Sequence, residues 1–342
     1  MTQTLPEHVE TVAQLDELLS RPSERLVEFF KALEGDIILI GASGKVGPTV
    51  ARMAQRAVKA SGRKRRVIGV ARSAMDELAA EGVETIRCDL MDMAAVDKLP
   101  KAENVVFLAG RKFGSTGSEA MTWATNVMVP YHVARAFTAS RVAAFSTGCV
   151  YPVVSLATGG SRESDSPEPV GEYAMSCLGR ERMFDYFSET HGEKVVHLRL
   201  NYAVEMRYGV LFDVATRIWN GQPVDITTGY ANVIWQGDVG NQTLLSLGLA
   251  SSPARILNMT GPEIISIRQV AEQFGRLLGK PVTFAGVENG RGYLNNARVA
   301  NELFGHPSVS VDRLIEWTAH WIRIGGKGLG KPTHFEAQDG KY

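Results

Sequence analysis

The sequence carries no excess of charge of either sign. Its 342 residues include 37 basic and 37 acidic side chains, so the formal net charge is zero. Such a chain creates no long-range field that would attract phosphate backbones or anionic lipid. It also has no basic run with interleaved aromatic residues, so we expect no nucleic-acid partner.

Cysteine is scarce and long apolar runs are missing. Cys88, Cys149 and Cys177 are widely spaced and form no C-x-x-C pair, which predicts neither a disulfide framework nor a metal site. No stretch reaches the ~18 apolar residues of a membrane span, and the acidic, polar N-terminus shows no signal-peptide pattern. We therefore expect a cytoplasmic protein with no membrane partner and no metal.

Short apolar runs recur along the chain instead. Hydrophobic residues make up 44% of the chain, which allows a sizeable core. From Asp36 onward, strand candidates alternate with helical stretches: "DIILIGA", "RRVIGVA", "VETIRCDL", "NVVFLAG", "VAAFSTGCVY" and "KVVHLRLNY". This alternation predicts an α/β fold with a doubly wound parallel sheet of the Rossmann type.

Changes in pattern divide the chain into regions. We expect an N-terminal extension of two amphipathic helices, broken at Pro22, that packs on the body or on a partner. A smaller mixed α/β lobe for the substrate follows the Rossmann domain, and the Gly-rich end of the chain reads as a loosely packed tail. The predicted ranges are 1–35 for the N-terminal extension, 36–203 for the Rossmann domain and 204–325 for the substrate lobe, with a segment near 232–260 returning to the Rossmann domain. The tail comprises 326–342.

A glycine-rich turn directly follows the first predicted strand. The segment "ILIGASGKVGPTVARMA" places Gly41, Gly44 and Gly47 at the mouth of a helix, with Ser43, Lys45 and Val46 between them. Glycines allow a pyrophosphate to approach the backbone N–H groups at a helix N-terminus. The alternative is a tight turn without a ligand, but the strand, turn and helix context favours dinucleotide binding.

The end of the second strand bears on the choice of cofactor. Arg72 and Ser73 stand where an NAD-binding protein would carry an acidic residue for the ribose. A guanidinium there suits the 2′-phosphate of NADP. We expect NADP, with NAD as the alternative, unless Arg72 is only a solvated residue at a strand end.

With these features placed, residues 36–320 resemble the extended short-chain dehydrogenases/reductases, the NAD-dependent epimerase/dehydratase family. The resemblance rests on "GASGKVG", "CDLMD", "FLAGRK", "TNVMVPYHVARAF" and "FSTGCVYP". It implies that Asp89 and Leu90 meet the adenine, and that Ala109 and Gly110 lie along the cofactor. It also implies that Lys112 lies near the cofactor phosphates or ribose, and that Asn126 holds its helix beside the cofactor.

The same resemblance identifies Thr147 and Tyr173 as the catalytic Thr and Tyr. The family motif is Y-x-x-x-K, but Cys177 occupies the Lys position. In the family that Lys binds the nicotinamide ribose and lowers the pKa of the Tyr. We expect Cys177 to be a small packing residue, because a reactive thiolate needs a cation or a helix terminus beside it.

Three outcomes follow from the missing Lys. The charge of an oxidised nicotinamide could assist deprotonation of Tyr173, or Arg180 or Lys112 could supply the charge. The third outcome is a site that binds its ligands but turns over slowly or not at all. Because Thr147, Tyr173 and Asn126 are all present, we favour an active enzyme.

The substrate motifs of the family are altered. Gly148 and Cys149 follow Thr147 where dehydratases carry Asp-Glu, so dehydration is disfavoured. The Arg that grips a nucleotide sugar is absent from "TTGYANVIWQGDVG", a segment with strand-like parts whose Asp238 we expect to cap a helix. Asn201 is a candidate substrate residue, and Arg291 is either an anion-binding residue or a surface one.

These observations predict an NAD(P)-dependent oxidoreductase. It would transfer hydride between the nicotinamide and a hydroxyl or ketone of a small sugar-like or sugar-acid substrate. The alternatives are a nucleotide-sugar epimerase that regenerates its cofactor, and a non-catalytic NADP(H)-binding sensor or scaffold. By resemblance, we expect a homodimer formed through helices near 119–139 and 171–190.

Overall fold

A computed structural model describes residues 5–112, 114–331 and 333–340. The first four residues of the predicted N-terminal extension, and positions 332, 341 and 342 of the predicted tail, lie outside the described residues. The described helices are α1 (Val12–Leu19), α2 (Glu24–Ala32), α3 (Gly47–Ser61), α4 (Asp76–Ala80), α5 (Met93–Asp97), α6 (Glu119–Trp123), α7 (Val129–Ala136), α8 (Gly171–His191), α9 (Val210–Trp219), α10 (Gln236–Ser246), α11 (Ile267–Leu278), α12 (Arg298–Phe304) and α13 (Val311–Arg323). In this part of the chain, no helix has the length and apolar character needed to cross a bilayer.

A parallel sheet forms the centre of the molecule. Its strands are β1 (Ile37–Ile40), β2 (Val67–Ala71), β3 (Glu84–Arg87), β4 (Asn104–Phe107), β5 (Arg141–Thr147), β7 (Lys194–Leu200) and β12 (Arg255–Met259). They lie in the order β12-β7-β5-β4-β1-β2-β3. The central strands are fully buried apolar runs such as "IILI", as expected of a sheet covered by helices on both faces. The predicted doubly wound Rossmann fold is confirmed.

Four short strand pairs lie outside the central sheet among the described residues. They are formed by β6 (Val154–Ser155), β8 (Ala203–Val204), β9 (Val224–Asp225), β10 (Tyr230–Ala231), β11 (Ile234–Trp235), β13 (Ile265–Ser266), β14 (Phe284–Ala285) and β15 (Arg291–Gly292). A second apolar core lies among α9, α11 and α13 and is separate from the two cores on the faces of the central sheet. The smaller mixed α/β lobe is therefore present.

The N-terminal helices pack on the body. Ser23 caps α2, and the buried face of this helix places Leu26 and Phe30 in the core beside α3. Leu15 and Leu19 of α1 instead join the core of the second lobe. The extension thus contacts both cores, because each helix has an apolar face turned towards a different lobe.

Two expectations about local structure are wrong. In "NVIWQGDVG" only Ile234 and Trp235 form a strand, because helix α10 begins at Gln236. Asp238 does not cap a helix: its carboxylate accepts hydrogen bonds from the Ser308 backbone N–H and hydroxyl at 2.9 and 2.8 Å. In the predicted tail, residues 327–331 are exposed, whereas Phe335 is buried in the core of the second lobe.

Candidate active site

The glycine turn lies between β1 and α3. A Cβ at Gly41 would stand 2.7 Å from the backbone nitrogen of Ala109, and one at Gly47 would stand 2.4 Å from the Ala42 carbonyl oxygen. Gly41 also has a φ of 95°, which favours glycine. No side chain caps α3. The backbone N–H groups at this end of the helix, apart from Pro48, which has none, are therefore available to a phosphate, so the residues present fit a dinucleotide.

A cleft of about 340 Å³ runs along the carboxyl ends of β1, β2 and β4. This is the edge at which ligands bind to open α/β sheets. Arg72 is exposed just beyond β2, and its carbonyl accepts a hydrogen bond from the Arg87 guanidinium at 3.3 Å. Of the residues predicted to bind the cofactor, the cleft is lined by Gly41, Ser43, Gly44, Arg72, Asp89, Leu90, Ala109 and Gly110.

Asn126 lies behind this cleft in a π-helical segment, Ala124–Met128. Its amide oxygen accepts hydrogen bonds from the Arg111 backbone N–H and the Arg180 guanidinium, both at 2.8 Å. Its amide nitrogen donates to the Arg111 carbonyl and the Ser176 hydroxyl. Asn126 therefore ties the loop after β4 to α8, and π-helical turns of this kind are frequent at functional sites.

A second cavity, of about 220 Å³, adjoins the cleft and shares Gly110 with it. Thr147 enters the cavity from the end of β5, and Tyr173 enters it from the first turn of α8. A side-chain hydrogen bond joins the Thr147 hydroxyl and the Tyr173 phenol. The structure thus brings together two side chains that are 26 positions apart in the sequence, because β5 and the start of α8 meet at this edge of the sheet.

The environment of Tyr173 favours the protonated phenol. Burial raises the pKa of Tyr173 well above its ordinary value, and the nearby Cys177 and Cys149 thiols raise it further. The positive charge of Arg180 and the hydrogen bond with Thr147 lower the pKa only in part. Without another charge, the phenol therefore keeps its proton at neutral pH.

Cys177 is fully buried one turn further along α8, where it packs with Val150 and Tyr151. Burial raises the pKa of the Cys177 thiol, although Arg180 and a hydrogen bond with Tyr173 oppose this effect. A buried thiol with a raised pKa is a poor nucleophile. The contacts of Cys177 are those of a packing residue.

The Arg180 guanidinium lies beneath the junction of the two cavities. It donates hydrogen bonds to the Phe145 carbonyl and the Asn126 amide oxygen, both at 2.8 Å. A Cβ at Gly110 would stand 2.4 Å from one of its nitrogens. Arg180 is buried, so its charge acts where solvent screening is weak.

A buried ion pair lies beside the end of β5. Arg199 of β7 and Glu181 of α8 are hydrogen-bonded at 2.7 and 3.0 Å. The Ser146 hydroxyl donates to the same Glu181 carboxylate at 2.5 Å. These contacts fix Ser146, the residue before Thr147, relative to α8. They therefore help to hold Thr147 and Tyr173 in position relative to each other.

The motifs did not indicate where the Lys45 side chain points. Instead of following the phosphate turn, its ammonium lies 3.4 Å from the Ala203 carbonyl oxygen and 3.2 Å from the centre of the Tyr208 ring. Lys112 enters the same cavity from the loop after β4. Both ammonium groups therefore lie on the Tyr173 side of the shared Gly110, together with Val46.

The two predicted substrate residues are separated. Asn201 lines the cavity, and its amide donates a hydrogen bond to the Tyr293 carbonyl at 2.8 Å. Arg291 lies on the exposed face of β15, outside the lining of this cavity, and its guanidinium donates to the Val153 carbonyl at 2.7 Å. Among the described residues, no cluster of three or more His, Cys, Asp or Glu side chains could hold a metal ion.

Comparison with known proteins agrees with this arrangement. Residues 37–230 match the model of the NAD dependent epimerase/dehydratase family. A search of curated proteins gave no match.

Solved structures share the fold at low sequence identity. UDP-glucuronic acid 4-epimerase from Bacillus cereus has a TM-score of 0.70 at 18% identity, over 84% of this chain and 99% of that one. UDP-glucose 4-epimerase from Thermus thermophilus, in complex with NAD, has a TM-score of 0.68 at 20% identity, with coverages of 84% and 99%. The dTDP-glucose 4,6-dehydratase DesIV from Streptomyces venezuelae has a TM-score of 0.71 at 18% identity, with coverages of 84% and 97%. Because the family model covers more than half of the sequence, the chain belongs to the NAD-dependent epimerase/dehydratase family.

Proposed function

We propose that this protein is an NADP(H)-dependent oxidoreductase that acts on a hydroxyl or ketone of a small sugar-like or sugar-acid substrate. The observation that carries the proposal is the hydrogen bond between Thr147 and Tyr173 in a cavity that adjoins the glycine-lined cleft. Residues 36–203 would mainly hold the cofactor, and residues 204–325 would mainly hold the substrate. The setting would be the cytoplasm, which suits three buried cysteines without disulfides.

The bound nicotinamide would supply or accept the hydride. Thr147 would donate a hydrogen bond to the substrate oxygen and orient it. Tyr173 would donate its proton to the same oxygen as negative charge develops there during ketone reduction. Its raised pKa keeps the phenol protonated, so it is ready to act as an acid at neutral pH. In the reverse direction Tyr173 must first lose its proton, so alcohol oxidation would require higher pH.

Arg180 would supply the positive charge that the family's Lys provides. Its guanidinium is held by Phe145 and Asn126, and its charge lowers the pKa values of both Tyr173 and Cys177. Burial still dominates the pKa of Tyr173, so this compensation is partial. Arg180 would therefore stabilise the tyrosinate less than a Lys at position 177.

The preference for NADP rests on Arg72. Its side chain is exposed at the rim of the cleft, next to Arg87 at the end of β3, and no carboxylate takes the usual ribose position after β2. Two guanidinium groups at this rim suit a 2′-phosphate. The related structures described above contain NAD, so NAD is the alternative that the cofactor experiment must exclude.

A homodimer is proposed from one exposed surface. Large apolar side chains are at least 38% exposed along α6, α7, α8 and the π-helical segment between α6 and α7: Met121, Trp123, Met128, Tyr131, Met175 and Tyr186. A cluster of exposed apolar side chains is typical of an interaction surface. The helices near 119–139 and 171–190 would therefore pair with a second copy of the chain.

Net turnover of free cofactor tests the proposal. Purified protein is mixed with NADPH and a panel of keto-sugars and keto-acids, and with NADP⁺ and the matching alcohols. Loss or gain of the reduced-nicotinamide absorbance is then followed. We expect net oxidation of NADPH with at least one ketone. Interconversion of sugar epimers without net cofactor change would identify an epimerase instead, and cofactor binding with neither reaction would favour the non-catalytic alternative.

A further inference from the structure

The wall of the catalytic cavity is rich in basic side chains. Lys45, Arg111, Lys112 and Arg180 line it, and none of the described lining residues carries a carboxylate. The hydride-transfer chemistry itself requires only Thr147, Tyr173 and one supporting charge. The two lysines therefore call for a separate explanation.

Lys45 is directed away from the cofactor phosphates that its sequence position suggests. Its backbone belongs to the glycine turn, yet its ammonium contacts the Ala203 carbonyl and the Tyr208 ring beyond the end of β7. Lys112 reaches the same side, where its ammonium donates to the Thr333 carbonyl at 3.1 Å and lies 6.0 Å from the centre of the Tyr173 ring. Both lysines thus line the cavity that contains the proposed acid, Tyr173.

The nearby carboxylates have contacts of their own. Glu205 pairs with Arg207 at 3.1 Å, and Glu336 pairs with Arg217 at 3.1 Å. Asp213 accepts hydrogen bonds from the backbone N–H and hydroxyl of Thr333 at 2.8 and 2.6 Å. These three acids attract the lysines, but none of the three lines the cavity itself.

The size of the cavity limits its occupant. About 220 Å³ is less than the ~300–1,000 Å³ typical of sites for drug-sized ligands. The reacting end of the cofactor must also fit there. A small substrate suits this space better than a nucleotide sugar.

We propose that Lys45 and Lys112 bind an anionic group, a carboxylate or a phosphate, on a small substrate whose hydroxyl or ketone faces Tyr173 and Thr147. This inference rests on the proposed oxidoreductase function and adds the charge of its substrate. Lys45 is thereby assigned to the substrate, although its place in the glycine turn suggested the cofactor.

The protonation of Lys45 gives the proposal a distinctive readout. Burial lowers the pKa of Lys45 to about 7; Glu205 and Asp213 oppose this effect, while Lys112 and Arg207 add to it. An anion that binds beside Lys45 favours the ammonium form. Binding at pH 8 should therefore take up a proton, and the affinity should fall as the pH rises above 7.

Calorimetric titration of the NADP⁺-saturated protein tests the proposal with three small probes: glycerate, glycerol 3-phosphate and glycerol. The three share a short polyol chain but carry a carboxylate, a phosphate or no charge. We expect one anion or both to bind and glycerol not to bind. The anion that binds more tightly shows whether the charged group of the substrate is a carboxylate or a phosphate. Titrations in buffers of different ionisation enthalpy measure proton uptake.

Matched variants distinguish binding of the substrate anion from binding of the cofactor. Lys45→Met and Lys112→Met keep most of the length of the side chain and remove its charge, and Lys64→Met on the exposed loop before β2 is the control. Loss of a charged hydrogen bond should weaken anion binding about tenfold or more. Lys45→Met should also reduce the proton uptake at pH 8, and Lys112, whose pKa burial also lowers, should account for the remainder. NADP⁺ affinity should change less than about twofold.

Other outcomes would overturn the proposal. Equal binding of glycerol and the anions, binding of no anion, or a loss of NADP⁺ affinity in Lys45→Met without a loss of anion affinity would each contradict it. If NADP(H) and NAD(H) both fail to bind, the proposed function itself fails. If the protein turns over an anionic ketone, such as a keto-acid, equally well with and without Lys45, only the anion inference fails.

Discussion

Replacement of Cys177 by Lys would restore the charge that the family places beside its catalytic Tyr. A positive charge within about 4–6 Å lowers the pKa of an acid by about 1–3 units, which equals about 1.4–4 kcal/mol in favour of the tyrosinate. Arg180 already supplies part of this effect, and its charge would repel the new ammonium. We therefore expect a shift near the lower end, about one pH unit.

The assay is the pH dependence of kcat/KM for alcohol oxidation, with the substrate found in the turnover screen. Activity should rise with pH as Tyr173 loses its proton, and Cys177→Lys should move this rise to lower pH. Cys177→Met is the control, because it adds comparable bulk without charge at a fully buried position. Identical profiles for the Lys and Met variants would refute the reasoning. If the Lys variant fails to fold, Arg180→Gln provides the opposite test, because it should move the rise to higher pH.

Three further perturbations address the cofactor, a buried acid and the N-terminal extension. Arg72→Ser should weaken NADPH binding about tenfold or more and leave NADH binding almost unchanged, as measured by quenching of cofactor fluorescence; equal losses would contradict the NADP assignment. Burial raises the pKa of Glu193 to about 9, and its carboxylate oxygens find no hydrogen-bond partner among the described residues. Because the folded pKa lies above the ordinary value of 4.5, stability should fall as the pH rises from about 4.5 towards 9. Glu193→Gln should therefore stabilise the protein by roughly 1–4 kcal/mol in urea unfolding at pH 8 and have little effect at pH 5, whereas equal effects at both pH values would contradict the raised pKa. Phe30→Ala should cost about 3–5 kcal/mol, because this ring is fully buried in the core beside α3, and an unchanged melting temperature would show that the N-terminal helix is dispensable.

The sequence predicts most of the central sheet because its strands are continuous apolar runs bounded by glycines and polar turns. The strand at the edge, β12, does not follow this rule. Asn258 interrupts its apolar pattern, and it is accommodated by hydrogen bonds with the Tyr151 hydroxyl at 3.0 Å and the Ser161 carbonyl at 2.9 Å. These partners are distant in sequence, so no local pattern reveals them.

The candidate site shows the same limit. Thr147 and Tyr173 can be identified from their motifs, since each lies at the end of a regular element whose position follows from the fold. The direction of Lys45 depends on Ala203 and Tyr208, which become its neighbours only in the folded chain. The contact between Lys112 and Thr333 joins residues 221 positions apart. Side-chain directions of this kind are tertiary properties, which explains why a cavity rich in basic side chains was not expected.

The central claim is that Tyr173 exchanges a proton with the substrate. The most direct measurement is the rate of NADPH oxidation in a single turnover with an accepted ketone, compared between the wild type, Tyr173→Phe and the control Tyr186→Phe on the exposed face of the same helix. We expect Tyr173→Phe to slow hydride transfer by about 10²–10⁴-fold while NADPH affinity is retained and Tyr186→Phe has no effect. Equal rates in the wild type and Tyr173→Phe would contradict the account.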